Sequence, residues 1–502
     1  VTERATSLAE QLLRGAERHP GFDALRARVG AEDGPGPIPV RGIVGSAGAL
    51  LLAGLARSVS RPFAVIAPDI DRAEAWRDDL EFLLGPDRVV SLPPHDVVPW
   101  SAQVATGPVR DDRITAMLRL GDPDPPIAVI PAVSLYRLAP RPAAVRSRSV
   151  TLAPGTEIAP EVLARTLVMA AYRPVGEVGE MGEVSRRGGL LDVFGPGMAY
   201  PVRIEFDGDQ VASLRTFDIS TQRSVAPLER VRLAPAREAL FAEDLDERLK
   251  PLDRGIPASD LEGVRIRELV REAVYFEGVD WLAPRLGIPL GSVLEYLPPR
   301  TALWVDEPEA VERELEVAER EAERIEPDAR ARAPHLPGRE GLFDPPERAI
   351  ARLGGFARME PRVTLGASDR DRVISFDARP QPSFGRKLEL LRGELRRLAE
   401  LGYERVIVCD NRGQAERLEE ILGDGVVSVD VGAITSGFVL PAARMAVFTD
   451  HEIFARYRRR RGRRSGPSRA SIRDLMTLAP GRCVAHLAHG IGIYRGLKRI
   501  TL

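Results

Sequence analysis

Cysteine is nearly absent: Cys409 and Cys483 are the only two in 502 residues, far apart and each inside an apolar, strand-like run. That argues against a disulfide-held fold and for two buried thiols in a reducing compartment. A surplus of charge is also missing. The formal net charge of −2 gives no global electrostatic case for nucleic-acid binding, so any such case must rest on local patches. No stretch approaches the roughly 20 apolar residues that span a bilayer, and residues 1–20 hold no secretory hydrophobic segment. The expectation is a cytoplasmic chain with no membrane partner. Metal-ligand spacing is lacking as well. His486 and His489 have no Cys or carboxylate companions, and no metal site is expected. What is present, 44% hydrophobic and 29% charged residues, describes a globular protein long enough for three or more domains. The chain opens on Val1 rather than Met and stops within a strand-like pattern, so truncation at one or both ends is expected.

The most informative stretch runs from Arg186 to Ser224, RRGGLLDVFGPGMAYPVRIEFDGDQVASLRTFDISTQRS. Leu191 and Val193, then Val202, Ile204 and Phe206, alternate with polar neighbours at the period of a half-buried strand. Asp207-Gly208 predicts a hairpin turn before Val211. Arg187, Arg203 and Glu205 fall on the outward beats, which by pattern alone fits a solvated sheet face with one exposed ion pair.

Upstream, strand-like runs at 42–44, 63–67, 89–92 and 127–130 alternate with helix-like runs such as 73–84, for which Asp71 is a candidate N-cap. This alternation predicts a parallel, doubly wound sheet. Its first turn, GIVGSAGALLLAGLA, lies where a phosphate-binding loop would lie. Such a loop needs a Lys for the β- and γ-phosphates and a Ser or Thr for Mg²⁺, and GxxxxGK(S/T) occurs nowhere in the chain. The glycines retain the makings of an anion cradle at a helix N-terminus.

The order arginine-glycine, two aliphatics, aspartate, aliphatic-phenylalanine, then arginine-aliphatic-acid-phenylalanine, a turn, SLR, FD and QRS resembles domain 2 of the UvrB/Mfd family. That small domain docks UvrA, the damage-recognition ATPase of nucleotide excision repair. The resemblance implies UvrA contact through Arg187, Arg203 and Glu205. Two departures are visible: Ser185 stands where UvrB has another arginine, and Asp207 replaces the second aromatic of the usual pair. Aligned with the UvrB loop GVTGSGKT, Gly42 and Gly45 are kept, while Gly48 and Ala49 replace the Lys and the hydroxyl. In VLEYLPPRTALWVDEPE, Asp306 and Glu307 occupy the Mg²⁺-binding and water-polarising positions of a Walker B motif; by pattern they open an acidic helix N-terminus. The implication is a catalytically silent nucleotide site. UvrB carries a tyrosine-rich DNA hairpin after its first helical units. Here LPPHDVVPW leads through Val109 into DDRITAMLRL with Trp100 as the sole aromatic, which places the resemblance on the Mfd, transcription-repair coupling, side of the family.

The fold class expected is therefore α/β: a degenerate P-loop NTPase-like (UvrB-like) parallel sheet over 1–150 and 236–330, with an inserted β-rich docking domain at 151–235. A linker at 331–347, a smaller α/β domain at 348–457 and an Arg-rich linker at 458–472 follow. Residues 473–502 resemble the start of a Tudor/SH3-like barrel, the CarD-like domain that binds the RNA polymerase β subunit. The tract ARYRRRRGRRSGPSR holds seven arginines, Arg456, Arg458, Arg459, Arg460, Arg461, Arg463 and Arg464. Phosphate contact and a solvated helix end both fit them. By resemblance the chain is a non-catalytic recruitment portion with no cofactor of its own. ATP, Mg²⁺ and DNA would belong to a translocase motor beyond Leu502. The competing readings are an ATP-hydrolysing UvrB-like helicase and a general nucleic-acid-binding protein working through the arginine tract.

Overall fold

Seven parallel strands run in the order Ile374–Ser375, Gly36–Arg41, Ala357–Pro361, Ala302–Val305, Phe63–Ala67, Ile127–Pro131, Val89–Ser91. The computed structural model describes residues 2–456 apart from 32–35, 102–106, 242–243, 255, 257–258, 277, 363–371 and 424–426, together with the backbone of 483–486 and 490–493. Every residue of Ala302–Val305, Phe63–Ala67 and Ile127–Pro131 is buried, as expected when helices cover both faces of a parallel sheet. The chain divides into two bodies, 1–146 with 241–461, and 147–240 with 462–502.

In the first body several local expectations shift. The first strand is Gly36–Arg41, not 42–44. Residues 42–44 form the bend after it, because Gly42 turns to φ +69° and leaves the ladder. The helix expected at 73–84 is Ile70–Leu84, capped by Asp69, whose carboxylate accepts the Arg72 amide at 2.7 Å, and not by Asp71. The two domains expected at 236–330 and 348–457 also interlock. Ala357–Pro361 and Ile374–Ser375, placed by sequence in the later domain, complete the first sheet.

A second sheet, Arg379–Pro380, Phe438–Leu440, Met445–Thr449, Glu404–Cys409, Ser428–Val431, carries the rest of that later region. Val406, Phe438, Met445 and Val447 share one apolar cluster with Leu12, Leu50 and Val65 of the first sheet's side. The helix Leu388–Glu400 presents Leu391, Leu395 and Leu398 to the other face, as its spacing predicts.

Residues 331–347 are not a linker. The helix Pro308–Arg332 runs into them, and Leu336, Leu342, Phe343 and Asp344 are buried. Phe343 stacks on Tyr136 at 4.7 Å, and Trp100 donates its indole hydrogen to the Pro337 carbonyl at 2.9 Å. Proline and glycine in this stretch suggested a spacer; its apolar residues instead close the core around Trp100 and Trp281.

The second body is built on an inserted sheet in the order Ser224–Pro227, Gln210–Phe217, Val202–Asp207, Leu190–Phe194, Glu183–Arg187, Arg173–Pro174. The strand pairs from Glu183–Arg187 through Ser224–Pro227 are antiparallel. Gly208 at φ +61° begins the two-residue turn between Asp207 and Gln210. Glycine suits it because a primed hairpin turn needs positive φ there. One face of the sheet buries Val184, Leu191, Val193, Val202, Ile204 and Leu214, and Leu163 and Leu167 of the helix Pro160–Met169 are buried with them. Phe206 does not continue that face. A register shift between Glu205 and Phe206 breaks the alternation, and Phe206 is only partly buried. Of the expected barrel, Cys483–His486 pairs antiparallel with Gly490–Ile493.

Candidate functional site

Cross-strand register decides which charged residues of the inserted sheet meet. Ser185 faces Asp192, Asp192 faces Arg203, and Arg203 faces Arg215; one step along, Arg187 faces Leu190, and Leu190 and Ser213 face Glu205. Residues opposite one another, or two apart on a strand, share a face. Arg187, Leu190, Asp192, Arg203, Glu205, Ser213 and Arg215 therefore lie on the face turned away from the helix Pro160–Met169. Arg186 has the opposite parity and pairs with Glu161 of that helix. Ser185 is buried and donates to the Gly176 carbonyl at 2.9 Å.

The three residues expected to dock a partner do share this face, but Arg203 and Glu205 are not an ion pair. Arg203 grips Asp192 bidentately, Nε to Oδ1 at 2.7 Å and Nη2 to Oδ2 at 2.8 Å. Its guanidinium also lies over the Phe217 ring at 4.6 Å, in an apolar patch of Val178, Phe194, Phe217 and Ile219. The hydrogen bonds to Asp192 raise the Arg203 pKa further above its ordinary value. Arg203 is thus mostly buried, with its side chain 18% exposed, whereas Arg187 is 54% exposed and approaches Asp192 at 3.6 Å. Glu205 accepts from Ser213 Oγ at 2.5 Å and faces Arg215 at 3.9 Å. Leu190 is exposed between them.

The outward face is consequently a ridge of partly satisfied arginines around an exposed leucine, with Asp192 fixing the buried one. Asp192 and Arg215 were missed by pattern reading. The signal lay in the strand register, since each stands directly across from Arg203. Beside the sheet, Asp218 accepts from the Ser220 amide at 2.9 Å and the Thr221 amide at 2.8 Å. The Ser220 hydroxyl and the Thr221 amide hold its carboxyl below the usual range. That turn leads to Gln222 at φ +59°, whose carbonyl accepts from Arg203 Nη1 at 3.4 Å.

The positions assigned to nucleotide are engaged by protein. A Cβ on Gly42 would stand 1.8 Å from the Phe376 carbonyl oxygen, and one on Gly45, at φ +56°, 2.9 Å from the Gly437 oxygen. The loop 434–437 of the second sheet's region lies against this turn. Ser46 donates its amide to the Ser436 carbonyl at 3.3 Å, Ser436 donates back to Ser46 Oγ at 3.0 Å, and Thr435 hydrogen-bonds Asp79 through both its amide and its hydroxyl. The expected anion cradle is therefore corrected: the amide of Ser46 and the glycine clearance at this helix N-terminus serve a neighbouring loop. Gly48 lies in the helix Ala47–Ser58 with Trp304 and Trp76 both 3.1 Å from where its Cβ would be, and Ala49 is buried. Asp306 accepts from Arg72 Nε at 2.5 Å and Trp76 Nε1 at 2.8 Å, so it forms a buried ion pair and not an acidic helix cap. Glu307 takes the N-cap position of the helix Pro308–Arg332 at φ +50° without a capping side-chain bond.

Of the arginine tract, Arg456 lies over the Phe454 ring at 4.6 Å and 3.9 Å from Asp450; Arg458, Arg459, Arg460, Arg461, Arg463 and Arg464 lie outside the described residues, as do His489 and the side chain of His486. Cys409 is a buried free thiol. Among the described residues one group has metal-ligand geometry, Asp410, Asp450 and His451, which the sequence reading passed over. No helix among the described residues is long and apolar enough to cross a membrane.

Residues 150–238, which include the whole inserted sheet, match the family model described as the UvrB interaction domain. The chain is also similar to curated transcription-repair-coupling factors. It is 26% identical to that of Bacillus subtilis over 92% of this chain and 42% of the relative, and 29% identical to that of Myxococcus xanthus over 93% and 43%. Against the Escherichia coli protein it is 24% identical over 91% and 42%. The chain thus spans about two-fifths of the length of the curated relatives it matches. By these matches it is a relative of the transcription-repair-coupling factors and carries a UvrB interaction domain.

Proposed function

We propose that this relative of the transcription-repair-coupling factors is a recruitment portion that docks UvrA on the outward face of its inserted sheet. The observation that carries the reading is the arginine ridge. Asp192 pins Arg203 in the sheet, while Arg187, Arg215 and Leu190 stay exposed beside it. Arginine suits such a surface because its planar fork holds a carboxylate through two hydrogen bonds at once. The leucine supplies apolar area at the centre of the ridge, where buried contacts contribute most to binding.

The rest of the chain acts as scaffold in this reading. With Gly48 against two indoles and Asp306 held by Arg72, the α/β body hydrolyses no nucleotide; ATP, Mg²⁺ and movement along DNA belong to the parent protein's remaining length. The hairpin Cys483–His486 and Gly490–Ile493 begins the region that contacts the RNA polymerase β subunit. The working compartment is the cytoplasm. The experiment is co-elution of purified UvrA with the chain in gel filtration. The unaltered chain shifts with UvrA, and the double variant Arg187→Glu/Arg215→Glu, folded by circular dichroism, does not. Co-elution of the folded double variant at full strength contradicts the proposal.

A further inference from the structure

We propose that Asp410, Asp450 and His451 form a binding site for a divalent cation of the Mn²⁺ or Zn²⁺ kind at the carboxyl edge of the second sheet. Asp410 directly follows the strand Glu404–Cys409, and Asp450 directly follows Met445–Thr449, its parallel neighbour, with Val408 opposite Thr449. Adjacent parallel strands thus deliver two carboxylates to one edge, the place where open α/β sheets collect their ligands. One potential ligand atom from each of Asp410, Asp450 and His451 lies within 4.8 Å of the others. That is an arrangement a shared ion would draw together.

Two features beyond proximity point to a cation. Asp450 is 1% exposed, and among the described residues its Oδ1 takes no hydrogen bond. The other carboxylate oxygen lies 3.9 Å from Arg456 and, with the Gln414 amide turned to suit its neighbours, accepts from that amide at 3.1 Å. A buried carboxylate oxygen without a donor is costly, and a metal ion is one of the few partners that offsets the cost.

His451 is oriented for the same task. Its Nε2 lies 3.2 Å from the Thr435 carbonyl, which can only accept, so a neutral ring that donates there leaves Nδ1 as its acceptor nitrogen. A metal-bound imidazole usually donates its second nitrogen to a carbonyl in this way. Two carboxylates and an imidazole, with the remaining positions open to water, suit Mn²⁺ or Zn²⁺ better than the all-oxygen demands of Ca²⁺ or Mg²⁺. Because Thr435 also bonds Asp79 and adjoins Ser436 against Ser46, an ion here would brace the loop that covers Gly45.

Isothermal titration of the metal-stripped chain with Mn²⁺, alongside thermal melting, tests the site. The expected result is one ion per chain and a Tm that climbs with Mn²⁺ and returns on adding EDTA. Affinity should fall at least about tenfold in Asp450→Asn and in Asp410→Asn. Asp450→Asn should also melt higher than the unaltered chain without metal, since it removes an unsatisfied buried charge. Absence of Mn²⁺ binding, or equal binding by the unaltered chain and both folded variants, overturns the proposal.

Discussion

Asp192 and Arg203 show how much a single cross-strand pair controls. The carboxylate is 4% exposed and its main partner is one guanidinium. Removing one partner of such a buried pair leaves the other charged in a poorly solvated place, which costs about 3–5 kcal/mol. Arg203→Ala is accordingly expected to destabilise the inserted sheet by about that amount in urea unfolding followed by circular dichroism, and Arg203→Lys by less, because an ammonium cannot grip both oxygens. A loss below about 1 kcal/mol for Arg203→Ala would place the pair with ordinary surface ion pairs. The residue scale is also where sequence reading stopped short. Alternation placed Arg187, Arg203 and Glu205 on one face, since the strand period of two is local. The partners Asp192 and Arg215 depend on register with strands before and after, which alternation does not encode. Asp306 is the extreme case: its partner Arg72 is 234 residues away in the chain.

Among the elements, the helix Leu261–Arg271 owes its start to two residues that pattern reading left aside. Asp260 accepts the Gly263 amide at 2.9 Å and faces His335 Nδ1 at 3.0 Å, which ties the helix to the segment once expected to be a linker. Burial pushes the Asp260 carboxyl up, but the Gly263 amide and His335 outweigh it and hold it below its ordinary value. A depressed carboxyl contributes stability above its unfolded-state pKa and loses it as pH falls through the folded-state value. Asp260→Ala should therefore cost about 1 kcal/mol or more at pH 7, and the difference from the unaltered chain should shrink as the solution is acidified below the ordinary aspartate range. A pH-independent gap in chemical denaturation would mean that the charge contributes nothing. Other elements were legible in advance: Phe63–Ala67 and residues 406–409 are continuous apolar runs, and Leu391, Leu395 and Leu398 keep helical spacing. Phe206 was misread because a bulge is a property of two strands together. The 331–347 segment was misread because proline and glycine mark turns whether or not the turns are buried.

At the scale of the whole molecule, the chain divides into an α/β body and a body built on the inserted sheet. The inserted sheet was expected at 151–235 from strand alternation and the family resemblance; the body that holds it comprises 147–240 with 462–502. The interlocking of the later domain with the first could not be read in this way, because Ala357–Pro361 and Ile374–Ser375 pair with Gly36–Arg41, from the start of the chain. The tight turn at 42–45 goes with that interlocking: Gly42 and Gly45 give clearance to Phe376 and Gly437 from the later region.

The most direct test of this account is the affinity of UvrA for two variants that differ by one position, measured by calorimetry on the otherwise unaltered chain. Arg187 stands on the outward face beside Asp192, while Arg186 points to the opposite face and pairs with Glu161. The account predicts that Arg187→Ala weakens UvrA binding by about 30-fold or more, the loss typical of an interface charge stripped from its partner, and that Arg186→Ala changes it by less than about threefold. Equal affinities for both variants, or a larger loss for Arg186→Ala, would contradict it.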